Sequence, residues 1–70
     1  MLFSFLYSDK TQSLVEVSQI TYDADEHYLA LHSFRTLRFS CSERRYNEIC
    51  NEIYLNGRSD IRDLVLYDKE

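Results

Sequence analysis

Two cysteines and two histidines are the side chains of this sequence best suited to bind metal or attack a substrate. A zinc site takes four ligands, typically in pairs separated by about two to four residues for cysteine or about three to five for histidine. Cys41 and Cys50 do not have that spacing, whereas His27 and His32 do. The histidines lie on a predicted strand at an odd separation, which sends them to opposite faces. We therefore predict no metal site and two thiols that pack as small core residues.

Cys41 is also the one candidate nucleophile, because it stands at the start of a predicted helix among Arg38, Arg44 and Arg45. Cationic neighbours and the positive end of a helix dipole favour the thiolate, which is the reactive form of cysteine. Catalysis also requires a positioned base and oxyanion donors, for which the sequence offers no motif. We predict a protein without enzymatic activity, with a thiol-based reaction at Cys41 as the alternative.

Two further kinds of ligand site are excluded by pattern. The acidic segment with Asp23, Asp25 and Glu26 lacks the central glycine and the closing glutamate of a calcium loop, so it is predicted to be a solvated hairpin turn. Gly57 is the single glycine and is needed to end a helix, which leaves none for a phosphate-binding loop. No cofactor is predicted.

Arginine and aromatic residues are concentrated in the middle of the chain. The arginines of this segment are Arg35, Arg38, Arg44 and Arg45, and the aromatic residues between and beside them are Phe34, Phe39 and Tyr46. Such residues contact single-stranded nucleic acid by ion pairing and stacking, and they are also enriched at protein interfaces. The net charge of −4 opposes binding to nucleic acid, and Phe39 and Tyr46 fall on predicted buried faces. A protein interface is the preferred interpretation.

Alternating and β-branched apolar residues predict five strands, at about residues 2–7, 14–22, 27–32, 36–41 and 61–67. The second of these has apolar residues on both faces, which predicts a bulge or two buried faces. One helix is predicted at about 42–56, because Tyr46, Ile49, Cys50, Ile53 and Tyr54 form a single apolar stripe. Ser40 or Ser42 could cap its start, and Gly57 provides a left-handed stop.

With 70 residues, of which 44 % are hydrophobic, the chain is predicted to form one domain over 1–70 with a core of its own. The order of elements is β-β-β-β-α-β. A helix with one apolar stripe and a sheet with one face to cover predict an α+β fold, in which the helix packs on one face of a four- or five-stranded antiparallel sheet. The other face stays uncovered, and if Val15, Val17, Tyr28 or Phe34 lie on it, a second copy or another protein is expected to cover it.

The predicted function is therefore a small interaction module that self-associates as a homo-oligomer or binds another protein through a sheet face or edge. A nucleic-acid-binding or regulatory domain that uses the region from Arg35 to Arg45 is the alternative. The interaction candidates are Tyr28, Phe34, Arg35, Arg38, Arg44 and Arg45. Two cysteines are too few for a disulfide scaffold and no apolar stretch is long enough to cross a bilayer, so we expect a cytoplasmic protein without a membrane partner.

Overall fold

The first strand of the chain is the centre of a three-stranded sheet. A computed structural model describes residues 1–7 and 9–67. Strand β1 (Leu2–Leu6) pairs antiparallel with β2 (Gln12–Glu16), and on its other side it pairs parallel with β6 (Arg58–Asp60). The order across this sheet is β2-β1-β6, so a segment from the end of the described chain completes the sheet that the first residues begin.

A second sheet has four antiparallel strands in the order β3-β4-β5-β7. They are β3 (Gln19–Asp23), β4 (Tyr28–His32), β5 (Thr36–Ser40) and the two-residue β7 (Val65–Leu66). The first three form a meander, whereas β7 joins β5 after the chain has passed through the helix α1 (Glu43–Asn56) and β6.

One core lies between the two sheets and the helix, because alternate residues of each strand point inward. The rings of Phe5 and Phe39, one from each sheet, meet edge to face with their centroids 5.4 Å apart. The helix contributes Ile49 to this core, and the Ile49 side chain is fully buried. The remaining buried residues of the core are Phe3, Val17, Leu29, Leu31, Leu37, Cys41 and Ile61.

The predicted α+β class with one helix is confirmed, although the structure has two sheets and more strands than expected. The segment predicted as one strand over 14–22 forms both β2 and β3, because the chain changes sheets at Val17 and Ser18. The Val17 N–H donates to the Met1 carbonyl in the first sheet, and the Ser18 N–H donates to the His32 carbonyl in the second. The residues that point into the core have odd numbers in β2 and even numbers in β3. This change at the corner explains why the predicted strand over 14–22 had apolar residues on both of its faces.

Val15 and Val17 consequently do not lie on an uncovered face. Val17 is only 1 % exposed within the core, and Val15 is half-buried against it. The condition under which these two valines would have formed an uncovered face is therefore not met, because both point into the core before the chain changes sheets.

The last part of the described chain also differs from the expected strand over 61–67. Its N-terminal half is a turn, in which the Leu64 N–H donates to the Ile61 carbonyl and the Arg62 N–H donates to Asp60 Oδ1. Strand β6 has the polar sequence Arg-Ser-Asp and forms only through its pairing with β1. Short polar strands of this kind carry no alternating apolar signal, so the sequence pattern did not reveal it.

Helix α1 begins at a serine cap and ends at a left-handed glycine. Ser42, not Ser40, is the N-cap, and its side chain accepts a hydrogen bond of 3.1 Å from the Arg45 N–H. At the other end Gly57 has φ +74°, and its N–H donates to the Ile53 carbonyl. An L side chain at Gly57 would be strained by that backbone conformation even though no atom lies near the position of its Cβ.

Replacing the cap tests this assignment. Ser42→Ala is expected to lower the free energy of unfolding by about 1 kcal/mol, because it removes the acceptor for one otherwise unpaired N–H of the first turn. Ser40→Ala, an identical change two residues earlier, is expected to stay within about 0.5 kcal/mol of wild type. Urea denaturation followed by circular dichroism measures both; equal losses in the two variants would contradict the cap.

Candidate functional site

Two of the predicted interaction residues meet on the outer face of the four-stranded sheet. Residues that alternate with the buried leucines of β4 and β5 point away from the core and line an open groove of about 500 Å³. Ala30 forms the floor of this groove and is only 4 % exposed, because longer side chains stand on both sides of it. The other outward residues of the groove are Thr21, Tyr28, His32, Thr36 and Arg38.

Two tyrosines and an arginine form a stacked group on this face, which we call the Tyr28 cluster: Tyr28, Arg38 and Tyr67. The rings of Tyr28 and Tyr67 lie nearly parallel, with centroids 5.7 Å apart and an interplanar angle of 13°. Arg38 Cζ lies 5.8 Å from the centroid of the Tyr28 ring, within the range of a cation–π interaction. No carboxylate in the described part of the chain pairs with Arg38 within 4.0 Å.

The edge strand β3 is tied to the same face through a histidine. Thr21 Oγ1 and His32 Nε2 are 2.9 Å apart, and the Ser18 hydroxyl donates to the His32 carbonyl at 2.9 Å. These contacts hold β3 against β4 near its first residues. The Thr21 and His32 side chains are therefore held in position on this face.

The two ends of this sheet carry opposite charge. At one end the β3–β4 turn contains Asp23, Asp25 and Glu26, and Asp23 Oδ1 accepts hydrogen bonds of 2.9 Å from the N–H groups of the other two. At the opposite end the loop from β4 to β5 contains Arg35, which is exposed. The sheet thus has an acidic end and a basic end.

The predicted interaction residues occupy three places. Tyr28 and Arg38 lie together in the cluster, whereas Phe34 and Arg35 lie in the β4–β5 loop. Phe34 is 94 % exposed and shares a small groove with Leu14 of β2. Arg44 is exposed in the first turn of α1, and Arg45 beside it is mostly covered.

Arg45 is engaged in structure and does not join a basic surface. Its Nε and Nη2 donate to the two carboxylate oxygens of Asp63 at 3.0 and 2.9 Å, and Nη2 also donates to the Asp60 carbonyl at 2.9 Å. The guanidinium holds the pKa of the Asp63 carboxyl below its ordinary value. Arg45 therefore fastens the turn after β6 to the helix, and the four arginines from Arg35 to Arg45 do not act as one cationic patch.

Cys41 does not have the surroundings of a reactive thiol. It is 5 % exposed, and burial raises the pKa of the Cys41 thiol, which opposes thiolate formation. Its Sγ–H donates to the Ser42 carbonyl at 3.3 Å, and Cys50 is likewise a free thiol. Among residues 1–7 and 9–67, no group of three or more His, Cys, Asp or Glu side chains is placed to hold a metal ion.

Several residues of the open face were not singled out from the sequence. Ala30 and His32 could have been found, because they continue the alternation that begins at Tyr28. Tyr67 could not, because its place beside Tyr28 depends on the pairing of β7 with β5, which joins distant parts of the chain.

Comparison of the chain with protein-family models, curated proteins and solved structures finds no match. No helix of the described residues is both long and apolar enough to span a membrane.

Proposed function

We propose that this chain is a small, non-enzymatic protein-interaction module that binds through the outer face of its four-stranded sheet and the adjoining edge strand β3. The Tyr28 cluster carries this proposal. Tyrosine and arginine are enriched at protein interfaces and at their energetic hot spots, because both offer a large contact area with a polar end. Stacking of Tyr28 on Tyr67 also restricts both rings before a partner arrives, which lowers the entropy lost on binding.

The shape of the surface favours a macromolecular partner. Sites for small molecules are usually enclosed cavities that bury most of the ligand. The groove over Ala30 is open, and its rim consists of side chains that stand up from a sheet. A broad, shallow surface of this kind suits another protein surface.

Strand β3 adds a second means of attachment. In the described sheet β3 is hydrogen-bonded to β4 along one edge and has no strand along the other. An edge of this kind presents unpaired N–H and C=O groups that a strand from a partner can satisfy. Face and edge together form one continuous binding region, with Phe34 and Arg35 at its basic end. The two free thiols support the proposal that the protein works in a reducing compartment such as the cytoplasm.

A charge placed in the cluster tests the proposal. Tyr28→Asp is expected to abolish binding through this face, because an aspartate at the centre of an interface is desolvated without a partner. The measurement is the native mass, by size exclusion with light scattering, of protein purified gently from its own source. Wild type is expected to elute with more than one chain, and Tyr28→Asp with a smaller native mass than wild type.

The matched control is Tyr54→Asp, the same change at a helix tyrosine that is 86 % exposed. It is expected to leave the native mass unchanged. A wild-type protein that elutes as one chain, or a complex that survives Tyr28→Asp, would contradict binding through this face.

The same cluster supports nucleic-acid binding as a second candidate, since bases stack on tyrosine and Arg38 could pair with a phosphate. Fluorescence titration with short single-stranded and duplex oligonucleotides at two salt concentrations distinguishes the two functions. Affinity that falls steeply as salt rises would support nucleic-acid binding. Flat titration curves at low salt would eliminate it.

A further inference from the structure

Strand β3 is an edge without the features that usually prevent strands of different molecules from pairing. Natural edges are often protected by lysine, proline, a bulge or an inward-pointing charge. The sequence of β3 is Gln-Ile-Thr-Tyr-Asp, in which the single charge stands at the last position. Among the described strands β4 covers one side only, so the N–H and C=O groups of alternate residues along β3 point to an open side.

We infer that the protein partner is a second copy of this chain, which pairs its own β3 antiparallel with the first across a two-fold axis at Thr21. The two four-stranded sheets would then form one sheet of eight strands. This inference rests on the proposed function and specifies the partner of its edge strand; the outer face with the Tyr28 cluster stays outside the β3–β3 contact. A symmetric pair of this kind is isologous, so every contact occurs twice.

The side chains of β3 are complementary to themselves in this arrangement. Thr21 lies opposite Thr21 of the second copy, and Ile20 lies opposite Tyr22. Both are pair types that stabilise antiparallel strands. Gln19 lies opposite Asp23, where the amide can donate to the carboxylate. No two like charges face each other along the strand.

The charges at the two ends of the sheet select the antiparallel direction. Antiparallel pairing brings the acidic turn of each copy, with Asp23, Asp25 and Glu26, to the end where the other copy carries Arg35. A parallel arrangement would place the two acidic turns together, and their repulsion would oppose it. This match of opposite charges favours a second copy over a partner strand whose charges do not complement the two ends of the sheet.

Strand β2, an edge of the three-stranded sheet, is less suited to this role. Its polar ends are already engaged, since Gln12 Oε1 accepts from Arg62 Nη1 at 3.3 Å and Glu16 accepts from the terminal ammonium at 3.0 Å. The turn before β2 contains both an acidic and a basic residue, Asp9 and Lys10. The three-stranded sheet therefore lacks the difference in charge that separates the two ends of the four-stranded sheet. Strand β2 therefore provides the control for the experiment.

Sedimentation equilibrium of the purified protein tests the inference through Gln19, which is exposed in the single chain. Gln19→Glu places two carboxylates opposite each other twice per dimer, and is expected to raise the dimer Kd by about 2- to 30-fold. Gln19→Lys places an ammonium opposite Asp23 and is expected to lower the Kd by a similar factor. Circular dichroism confirms that each variant is folded.

Gln12→Glu and Gln12→Lys make the same charge changes on β2 and are expected to leave the Kd unchanged. A Kd that responds to position 12 and not to position 19 would overturn pairing through β3. A pure protein that remains monomeric at every concentration would overturn self-association altogether. The proposed function would survive that outcome if the complex from the native source still dissociated on Tyr28→Asp, and it would fail if that complex did not.

Discussion

Phe39→Ala is expected to lower the free energy of unfolding by about 3–5 kcal/mol. Phe39 is fully buried, lies opposite Leu29 and Leu66 in its sheet, and touches Phe5 of the other sheet. Truncation would remove the contact that joins the two sheets and leave a cavity between them. Because a core of this size rarely supplies more than about 3–5 kcal/mol, the variant is expected to be largely unfolded in urea-denaturation and thermal-melting measurements.

Phe34→Ala is the matched control, since Phe34 is 94 % exposed in the β4–β5 loop. Removal of this ring is expected to change the free energy of unfolding by less than about 0.5 kcal/mol. Comparable losses from the two substitutions would mean that the sheets do not share the core described above.

Arg45→Ala is expected to destabilise the fold by about 1–2 kcal/mol. The loss combines the bidentate contact with Asp63 and the hydrogen bond to the Asp60 carbonyl. Hydrogen bonds to charged groups are worth about 1.5–3 kcal/mol in protected sites, and solvent around Asp63 reduces that value. Arg44→Ala removes an exposed neighbour and is expected to stay within about 0.5 kcal/mol of wild type.

The pH dependence of stability provides an independent test of the same contact. The pKa of Asp63 lies below its ordinary value of 3.8 because of its hydrogen bonds with Arg45. A carboxyl with a depressed folded pKa contributes stability above its unfolded pKa, and this contribution is lost as the pH falls through the folded pKa. Wild type should therefore lose stability below about pH 4 more steeply than Arg45→Ala in urea denaturation across that range. Parallel curves would show that the Arg45–Asp63 contact adds nothing to stability.

The helix was predictable from the sequence because its determinants are local. Its apolar stripe, its serine cap and its glycine stop all lie within one turn of the positions they define. The division into two sheets was harder to foresee, since the mixed faces of residues 14–22 fit either a bulge or a change of sheet. The choice between them depends on whether Met1 and His32 lie beside Val17 and Ser18, which only the folded chain determines.

The interaction surface was likewise only partly predictable from the sequence. Tyr28 and Arg38 follow from alternation within two neighbouring strands. Tyr67 joins them through a pairing between β5 and β7, and Arg45 is withdrawn from the surface by Asp63 in the turn after β6. Contacts between residues far apart in the chain thus decided which of the predicted arginines and aromatic residues are placed to bind.

The parallel pairing of β1 with β6 also bears on how this chain folds. Leu2 must reach Arg58 before the three-stranded sheet exists, and closure of so long a loop has a large entropic cost before any contact forms. The meander from β3 to β5 and the helix after it need only short loops, so they can form early in the reaction. We expect the arrival of β1 beside β6 to be the slow step, before which the inner faces of the sheets would be exposed to solvent. The period of greatest risk of aggregation is therefore set by the joining of the first and last parts of the fold.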